Sequence, residues 1–381
     1  MSGAGSGAGR AATVRAALVR GIGEPVRIVE LDLPALGPHD VRVRLAAAGV
    51  CHSDLSMLDG TLTPTFPLVA GHEAAGEVVA VGADVSTVSP GDHVVLNWAP
   101  PCRACWHCLH GEPFLCSVVA AAVTAPGGWV AGEQVHHLFG IGAFAEEVVV
   151  PARAVVAVPA ELPLELAALL GCAVLTGVGA VRTTARVRAG ESVVVIGLGG
   201  VGLSAVLGAR WVGAYPVIAV DVRADKEPLA LALGATHFVP AGDQLARAIR
   251  GLTGGRGADH AFECVGRPST IRAAWQSTRR GGQAVVIGVG GREPEVTFSP
   301  LELFHQNRRL TSSVYGSGDP ERDIPVLAAG VLGGVLDLAP LITARIGLDG
   351  LDDAFARMRA GEGARSVVVF GTSSEGTQSP A

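Results

Sequence analysis

Lysine is nearly missing from this 381-residue chain: Lys226 stands alone against 28 arginines among its 29 basic residues. That imbalance reads as coding bias rather than function. Aromatic residues reach only 4%, the formal net charge is −6, and no run of basic residues or aromatic–basic stripe occurs. These shortages exclude nucleic acid and an acidic membrane surface as principal partners. Charged residues are also scarce at 17% against 49% apolar, so there is ample material for large cores, and the length suggests roughly two to three domains. No uncharged stretch reads as a membrane span. The best candidate, Ser192–Ala209, is broken by glycines and followed at once by Arg210. The opening MSGAGSGAGR lacks the apolar centre of a secretory signal. Residues 1–13 are expected to be a flexible leader, 373–381 a flexible tail, and the cytoplasm the compartment. In a reducing compartment, clustered cysteines signify metal more often than disulfides.

Four of the seven cysteines, Cys102, Cys105, Cys108 and Cys116, form one C-x2-C-x2-C-x7-C run. Four thiolates that close together saturate a tetrahedral zinc and leave no position for chemistry, so this run reads as a structural site in a lobe spanning about 98–118. Cys51, His72 and Cys172 lie far apart, each beside glycine-rich or turn-like sequence. Taken singly, each is equally a small buried hydrophobe or a core histidine, and spacing does not join them.

Two styles of sequence divide the chain. Up to about Val158, short β-rich runs such as VRVRLAAAGV, GEVVAVG and DHVVLN are punctuated by Gly and Pro. From Glu191, strands alternate with helices: VVVIG, a helix Val201–Val212, PVIAVD, a helix Lys226–Leu233, DHAFECV, a helix Ser269–Thr278 and QAVVIGV. That rhythm predicts an α/β fold with a doubly wound parallel sheet. The stretch 325–381, with helices near 325–332 and Leu351–Ala360 and a final strand SVVVF, is expected to complete the first domain.

Gly197, Gly199, Gly200, Val201 and Gly202 fall in a G-x-G-x-x-G pattern directly after VVVI and before a helical run. The first glycine permits a tight turn, the second lets a pyrophosphate approach the backbone, and the third lets helix and strand pack closely. Asp221, 19 residues after Gly202, ends the next strand, where a carboxylate accepts both ribose hydroxyls and repels a 2′-phosphate. NAD is therefore expected over NADP, although Arg223 and Lys226 nearby are compatible with a phosphate.

In order, GVCHSD, GHE, the four-cysteine run, GCAVLTG and GLGGVG resemble the zinc-dependent medium-chain alcohol dehydrogenases, and HHLFGIGAFAEE resembles their liver-type branch, which includes the thiol-dependent formaldehyde dehydrogenases. The resemblance runs from about Val14 to Phe370. It implies a GroES-like, mostly β catalytic domain (14–173 and 315–372) and a Rossmann dinucleotide domain (174–314). It further implies a catalytic zinc on Cys51, His72 and Cys172, the two-cysteine, one-histidine set already known for alcohol dehydrogenase. Glu73 would approach that metal and Asp54 would tune its ligands. By the same resemblance Ser53 takes the alcohol proton, and His52, Thr176, Lys226 and Arg365 touch pyrophosphate, nicotinamide side, ribose and pyrophosphate respectively. Val201, Val265 and Val289 lie beside the dinucleotide. The implied pocket is apolar, with Leu62, Trp98, Leu138, Phe139, Val289 and Val314. Cys264 is expected on a Rossmann strand facing the cofactor cleft, without a catalytic role.

The expected reaction interconverts a primary alcohol, aliphatic or aryl, and its aldehyde with NAD and two zinc ions per chain. A thiol-adduct formaldehyde dehydrogenase is the alternative, weakened because Ala120 falls near the place of that branch's substrate-binding arginine. A catalytically silent dinucleotide-binding protein is the alternative of another class. The segment Pro300–Val314, at a sheet edge, is the expected seam of a homodimer or a tetramer. Where many members of the family carry a proton-relaying histidine, this chain has Ser56, and serine is no base near neutral pH. Proton release should therefore follow another route, and Ser56→His should shift the pH–rate profile of alcohol oxidation. An unchanged profile would contradict that route.

Overall fold

The computed structural model describes residues 12–120, 124–291 and 293–371, so the expected tail and most of the expected leader lie outside the described residues. Three sheets organise the chain. Strands Thr13–Val19, Arg27–Asp32, Thr124–Val130, Glu133–Leu138 and Leu68–Val69 close a small barrel. A seven-stranded sheet is centred on Glu73–Val81 and Asp40–Gly49. Along Asp40–Gly49, Val41, Val43 and Leu45 are buried while Arg42 and Arg44 turn outward, the period-two pattern of a strand with one face in the core. Both arginines meet Glu147 on the neighbouring strand Glu147–Pro151, at 2.6 and 3.3 Å, a cross-strand charge pairing.

The third sheet has six strands, all parallel, with Val193–Ile196 and Ala258–Glu263 at its centre. Its order, third–second–first–fourth–fifth–sixth, reverses between those two strands and opens a crevice at their carboxyl ends. Val193–Ile196 is buried on both faces, which explains its unbroken VVVI. This is the doubly wound sheet that the alternation of strands and helices predicts.

Element boundaries differ from expectation where local chemistry intervenes. The helix expected near 325 begins at Pro320, because Asp319 accepts from the Glu321 N–H at 3.3 Å and proline at the first helical position forfeits no bond. The strand expected to reach Val289 ends at Val286, where the Ile287 and Gly288 N–H groups turn to the Glu263 carbonyl at 2.8 and 3.0 Å. Cys264 stands one residue past its strand, which ends at Glu263, rather than on it.

After the Rossmann sheet the chain returns to the first unit. Strand Arg365–Val369 pairs antiparallel with Asp40–Gly49, Val367 opposite Gly49, so a late strand completes the sheet of the first unit. Arg365 thereby arrives beside Val50 and Cys51. No single described helix is long and apolar enough to cross a membrane. The bent apolar pair Leu164–Gly171 and Ala173–Thr184 is largely buried in the core and carries Cys172 at its bend. At the far edge of the Rossmann sheet, strand Arg309–Ser312 leaves Leu310 exposed, and helix Pro300–Gln306 leaves Leu301, Leu303 and Phe304 exposed.

Candidate active site

Cys51 caps the short helix His52–Leu58, and Asp54 in its first turn reaches back to accept the Cys51 N–H at 3.0 Å. The other Asp54 oxygen accepts the Gly71 N–H at 3.0 Å and meets His72 Nδ1 at 3.1 Å. His72 and Glu73 follow a left-handed glycine, Gly71, where a Cβ would lie 2.6 Å from the Phe144 backbone nitrogen. Cys172 sits at the bend between Leu169–Gly171 and Ala173–Gly179. Cys51, His72, Glu73 and Cys172, all buried, bring one ligand atom each to within 4.8 Å of one another.

The electrostatics of this group are those of a site built for a cation. Glu73 is fully buried, and neither carboxylate oxygen has a hydrogen-bond partner; its salt-bridge partner is Arg365 Nη2, 3.4 Å away. Burial pushes its pKa up to about 7 against the pull of Arg365. Gly49 makes room for it, since a Cβ there would lie 2.6 Å from Oε1. The hydrogen bond with Cys172 holds the Cys51 thiol well below its usual value despite burial, while the same contact and burial push Cys172 up. Burial lowers His72, but Asp54 and Cys51 outweigh it and raise the ring well above an ordinary imidazole. With Nδ1 held by Asp54, His72 has Nε2 left to offer. Two sulfurs, a nitrogen and an unpartnered carboxylate fit a divalent cation that prefers tetrahedral N/S ligation, namely zinc.

Cys102, Cys105, Cys108 and Cys116 also converge. Cys102 and Cys108 sulfurs stand 4.0 Å apart, as do those of Cys105 and Cys116. Four thiolates at about 2.3 Å from a central zinc would be spaced ~3.8 Å apart, whereas a disulfide needs about 2.05 Å. The cluster is thus shaped for an ion. Bonds from the Cys108 and Ser117 backbone bring the Cys105 thiol down to about 6, toward the thiolate a metal requires.

Glycines shape the dinucleotide crevice. Gly197 is left-handed, φ 92°. A Cβ on Gly199 would meet nothing, leaving that backbone open to an approaching phosphate, whereas one on Gly202 would collide with the Gly197 carbonyl. Gly200 adjoins the Arg365 guanidinium, which leaves no space for a side chain. Arg365 donates Nη1 to the Val50 carbonyl at 2.9 Å, and its buried Nε and Nη2 lack hydrogen-bond partners. Those spare donors, next to the start of helix Gly200–Trp211, suit a phosphate. Asp221 accepts the Leu198 and Arg223 N–H groups at 2.7 and 3.0 Å and keeps lone pairs for hydroxyls.

The remaining residues divide. Ser53 Oγ lies 3.9 Å from Cys51 Sγ; Ser56 is buried on the same helix; His52 is exposed, and Thr176 is nearly buried one turn after Cys172. Val265 lies against Gly197 and Val289 against Gly266, while Val314 is exposed just before Tyr315. Arg223 and Lys226 both lie within electrostatic reach of Asp221. Arg223 pairs with Asp225 and donates to the Ala360 carbonyl at 3.0 Å, and Lys226 donates to the Gly363 carbonyl. Leu62 and Phe139, partly buried, pack against the fully buried cluster of Met57, Leu68 and Leu138, the last of which is expected on the pocket wall. Ala120 ends the short helix Ser117–Ala120, and its side chain lies outside the described residues.

Two residues that no motif marks belong here. Tyr315 is buried, its ring 4.6 Å from Trp98 and its hydroxyl donating to the Gly171 carbonyl at 2.6 Å. Trp98 lies 4.7 Å from Phe139, and the Trp98 and Phe139 rings stand 6.2 and 5.5 Å from His72. An aromatic wall therefore flanks the metal-ligating group. Glu263, fully buried, accepts from Val265 N, Gly266 N and Thr270 Oγ1 at 2.7–2.8 Å and shapes the crevice rim. Its only sequence signal is its place at a strand end.

Residues 37–160 match the family model described as alcohol dehydrogenase GroES-like domain, and residues 200–329 match that described as zinc-binding dehydrogenase. S-(hydroxymethyl)glutathione dehydrogenase of Paracoccus denitrificans is 35% identical over 373 residues, 93% of this chain and 99% of the relative. The structure of benzyl alcohol dehydrogenase from Acinetobacter calcoaceticus superposes with a TM-score of 0.88 at 29% identity, covering 94% of this chain and all of that one. A Sinorhizobium meliloti protein described as a zinc-binding dehydrogenase, whose structure holds NADP, superposes with a TM-score of 0.80 at 27% identity over 94% of this chain and 99% of its own.

Asp54 accepts three donors, so Asp54→Asn must set an amide N–H against one of them and loosen His72 or Cys51. The expected result is a cation held about 10–100-fold less tightly against a chelator. Retention equal to wild type would remove Asp54 from the account.

Proposed function

Because this chain belongs to the zinc-dependent medium-chain alcohol dehydrogenases, we propose that it oxidises apolar primary alcohols, aliphatic or aryl, to aldehydes and reduces them back with NAD. It is a zinc- and nicotinamide-dependent alcohol/aldehyde oxidoreductase. Two zinc ions per chain, one closed by four cysteines and one open at Cys51, His72 and Cys172, complete the proposal. The observation that carries it is the buried Cys51–His72–Glu73–Cys172 group, bounded by the aromatic wall and joined through Arg365 to the dinucleotide crevice.

When bound, the open zinc supplies Lewis acidity toward a substrate oxygen, and the nicotinamide supplies the hydride acceptor. The protein does the rest. Ser53, in the first turn of the helix that Cys51 caps, would relay the alcohol's proton without acting as a free base: Oγ accepts that proton as its own hydroxyl proton is handed on toward water. Asp54 holds the His72 ring in one orientation, so Nε2 stays aimed at the ligand group. Arg365 and the open N–H groups at Gly199–Gly202 take the pyrophosphate, and Asp221 takes the ribose hydroxyls. The Asp221 carboxylate disfavours a 2′-phosphate, and Arg223 and Lys226, although near it, are engaged by Asp225 and the Ala360 carbonyl and by the Gly363 carbonyl. This supports NAD over NADP. Trp98, Phe139 and Tyr315 exclude water from the substrate side and favour flat or extended carbon skeletons.

Relatives named S-(hydroxymethyl)glutathione dehydrogenase favour a second reading, oxidation of a formaldehyde–thiol adduct. The apolar wall supports the first reading instead, because an adduct's carboxylates would need cationic partners there. A panel of aliphatic, allylic and aryl alcohols and formaldehyde, with NAD or NADP and with or without a low-molecular-weight thiol, separates them. We expect turnover of aryl and aliphatic primary alcohols with NAD preferred, and a loss of about 10²–10⁴ in kcat for Ser53→Ala. Turnover of formaldehyde only when thiol is added would overturn the alcohol reading in favour of the second.

A further inference from the structure

We propose that Arg103 is a positioning residue for the substrate wall. Through its contact with Asp319, the four-cysteine lobe fixes the turn carrying Tyr315 and so sets which alcohols the site accepts. The inference rests on the proposed function and deepens it, because it assigns the lobe a part in specificity rather than in folding alone.

Arg103 lies between Cys102 and Cys105 with φ at 60°, a left-handed conformation that a residue other than glycine adopts only at a cost. The turn is dictated by the sulfur cluster: the Ala104 and Cys105 N–H groups both point at Cys102 Sγ, at 3.5 and 3.2 Å. The direction of Arg103 is therefore set by the lobe. Its guanidinium forks onto Asp319, Nη1 to Oδ2 at 2.7 Å and Nη2 to Oδ1 at 2.8 Å, and Nη2 also reaches Glu321 at 2.7 Å. A two-pronged fork of this kind fixes orientation as well as distance.

Asp319 ends a turn that would not hold its shape unaided. Tyr315, Gly316 and Ser317 are all left-handed, with φ of 49°, 79° and 52°. The turn is pinned upstream by the Tyr315 hydroxyl on the Gly171 carbonyl, and in its middle by Gly316, where a Cβ would collide with the Leu175 carbonyl. Downstream, Asp319 is pinned by Arg103 from 216 residues away. Tyr315 in turn backs Trp98, which flanks Phe139 and His72, and Gly171 immediately precedes Cys172. Releasing the Arg103 end frees the wall while leaving the ligands covalently where they are.

The magnitudes separate positioning from stability. The Arg103 side chain is 43% exposed, and ion pairs this exposed contribute little to global stability. Arg103→Gly removes the arm and relieves the left-handed backbone, so the sulfur cluster should survive. Asp319→Asn removes the charge and keeps a helix-capping oxygen. Both variants should retain wild-type metal content. Each should raise the KM for benzyl alcohol roughly 5-fold or more with kcat within about twofold, and leave the KM for ethanol unchanged. The double variant should be no worse than Arg103→Gly alone, since that change already removes the contact Asp319→Asn weakens. Acrylamide quenching of Trp98, isolated by subtracting the Trp98→Phe counterpart of each protein, should increase in both variants whether or not any alcohol turns over. A wild type inactive on every alcohol would therefore sink the proposed function and leave this readout decisive. Folded variants with unchanged Trp98 quenching and an unchanged benzyl-to-ethanol KM ratio would overturn the inference, as would effects that add in the double variant.

Discussion

One fully buried carboxylate holds the centre of this molecule together. Asp54 accepts from the backbone on both sides of the site, at Cys51 and Gly71, and from the ring of His72. Two ligands on different segments are thereby fixed to a common anion before any cation is considered. A buried charge is tolerable when hydrogen bonds compensate it, and here three donors do so. Glu73 is its opposite, equally buried but without a hydrogen bond. The contrast assigns the roles: one acid organises, while the other, already beside Arg365, keeps oxygens free of hydrogen bonds for a cation.

Arg365 connects that centre to the dinucleotide crevice. It enters on the C-terminal strand, which pairs with Asp40–Gly49, and ends between Glu73, the Val50 carbonyl and Gly200. That strand pairing thus delivers a guanidinium to a point where metal ligands and phosphate cradle meet. Any side chain at Gly200 would displace it, so the pattern glycine there serves Arg365 as much as the nucleotide. The Rossmann sheet and the mostly β unit share a functional group as well as a boundary.

What is legible in the sequence is what local geometry encodes. The four-cysteine run is close enough in sequence to enclose one ion, and Gly197, Gly199 and Gly202 each fill the turn, approach and packing roles that their spacing implies. Cys51, His72 and Cys172 are joined by resemblance alone, because segments so far apart meet only through sheet pairing and the bend at Leu169–Ala173. Side-chain direction is not legible. Lys226 and Arg223 lie where a ribose or phosphate contact is expected, yet the carbonyls they meet, Gly363 and Ala360, are 137 residues away in the chain. Leu138, placed on the pocket wall by the resemblance, is fully buried in a cluster with Met57 and Leu68. Tyr315 carries no local signal, because nothing nearby announces a tyrosine held by a carbonyl 144 residues earlier.

Two cation sites of different character, one enclosed by sulfur and one open beside an aromatic wall, underlie everything proposed for this chain. Zinc per chain in the freshly purified protein, determined by elemental mass spectrometry, tests that claim most directly. Two equivalents are predicted. A single equivalent that stays bound when Cys51 and Cys172 are replaced by serine would contradict it.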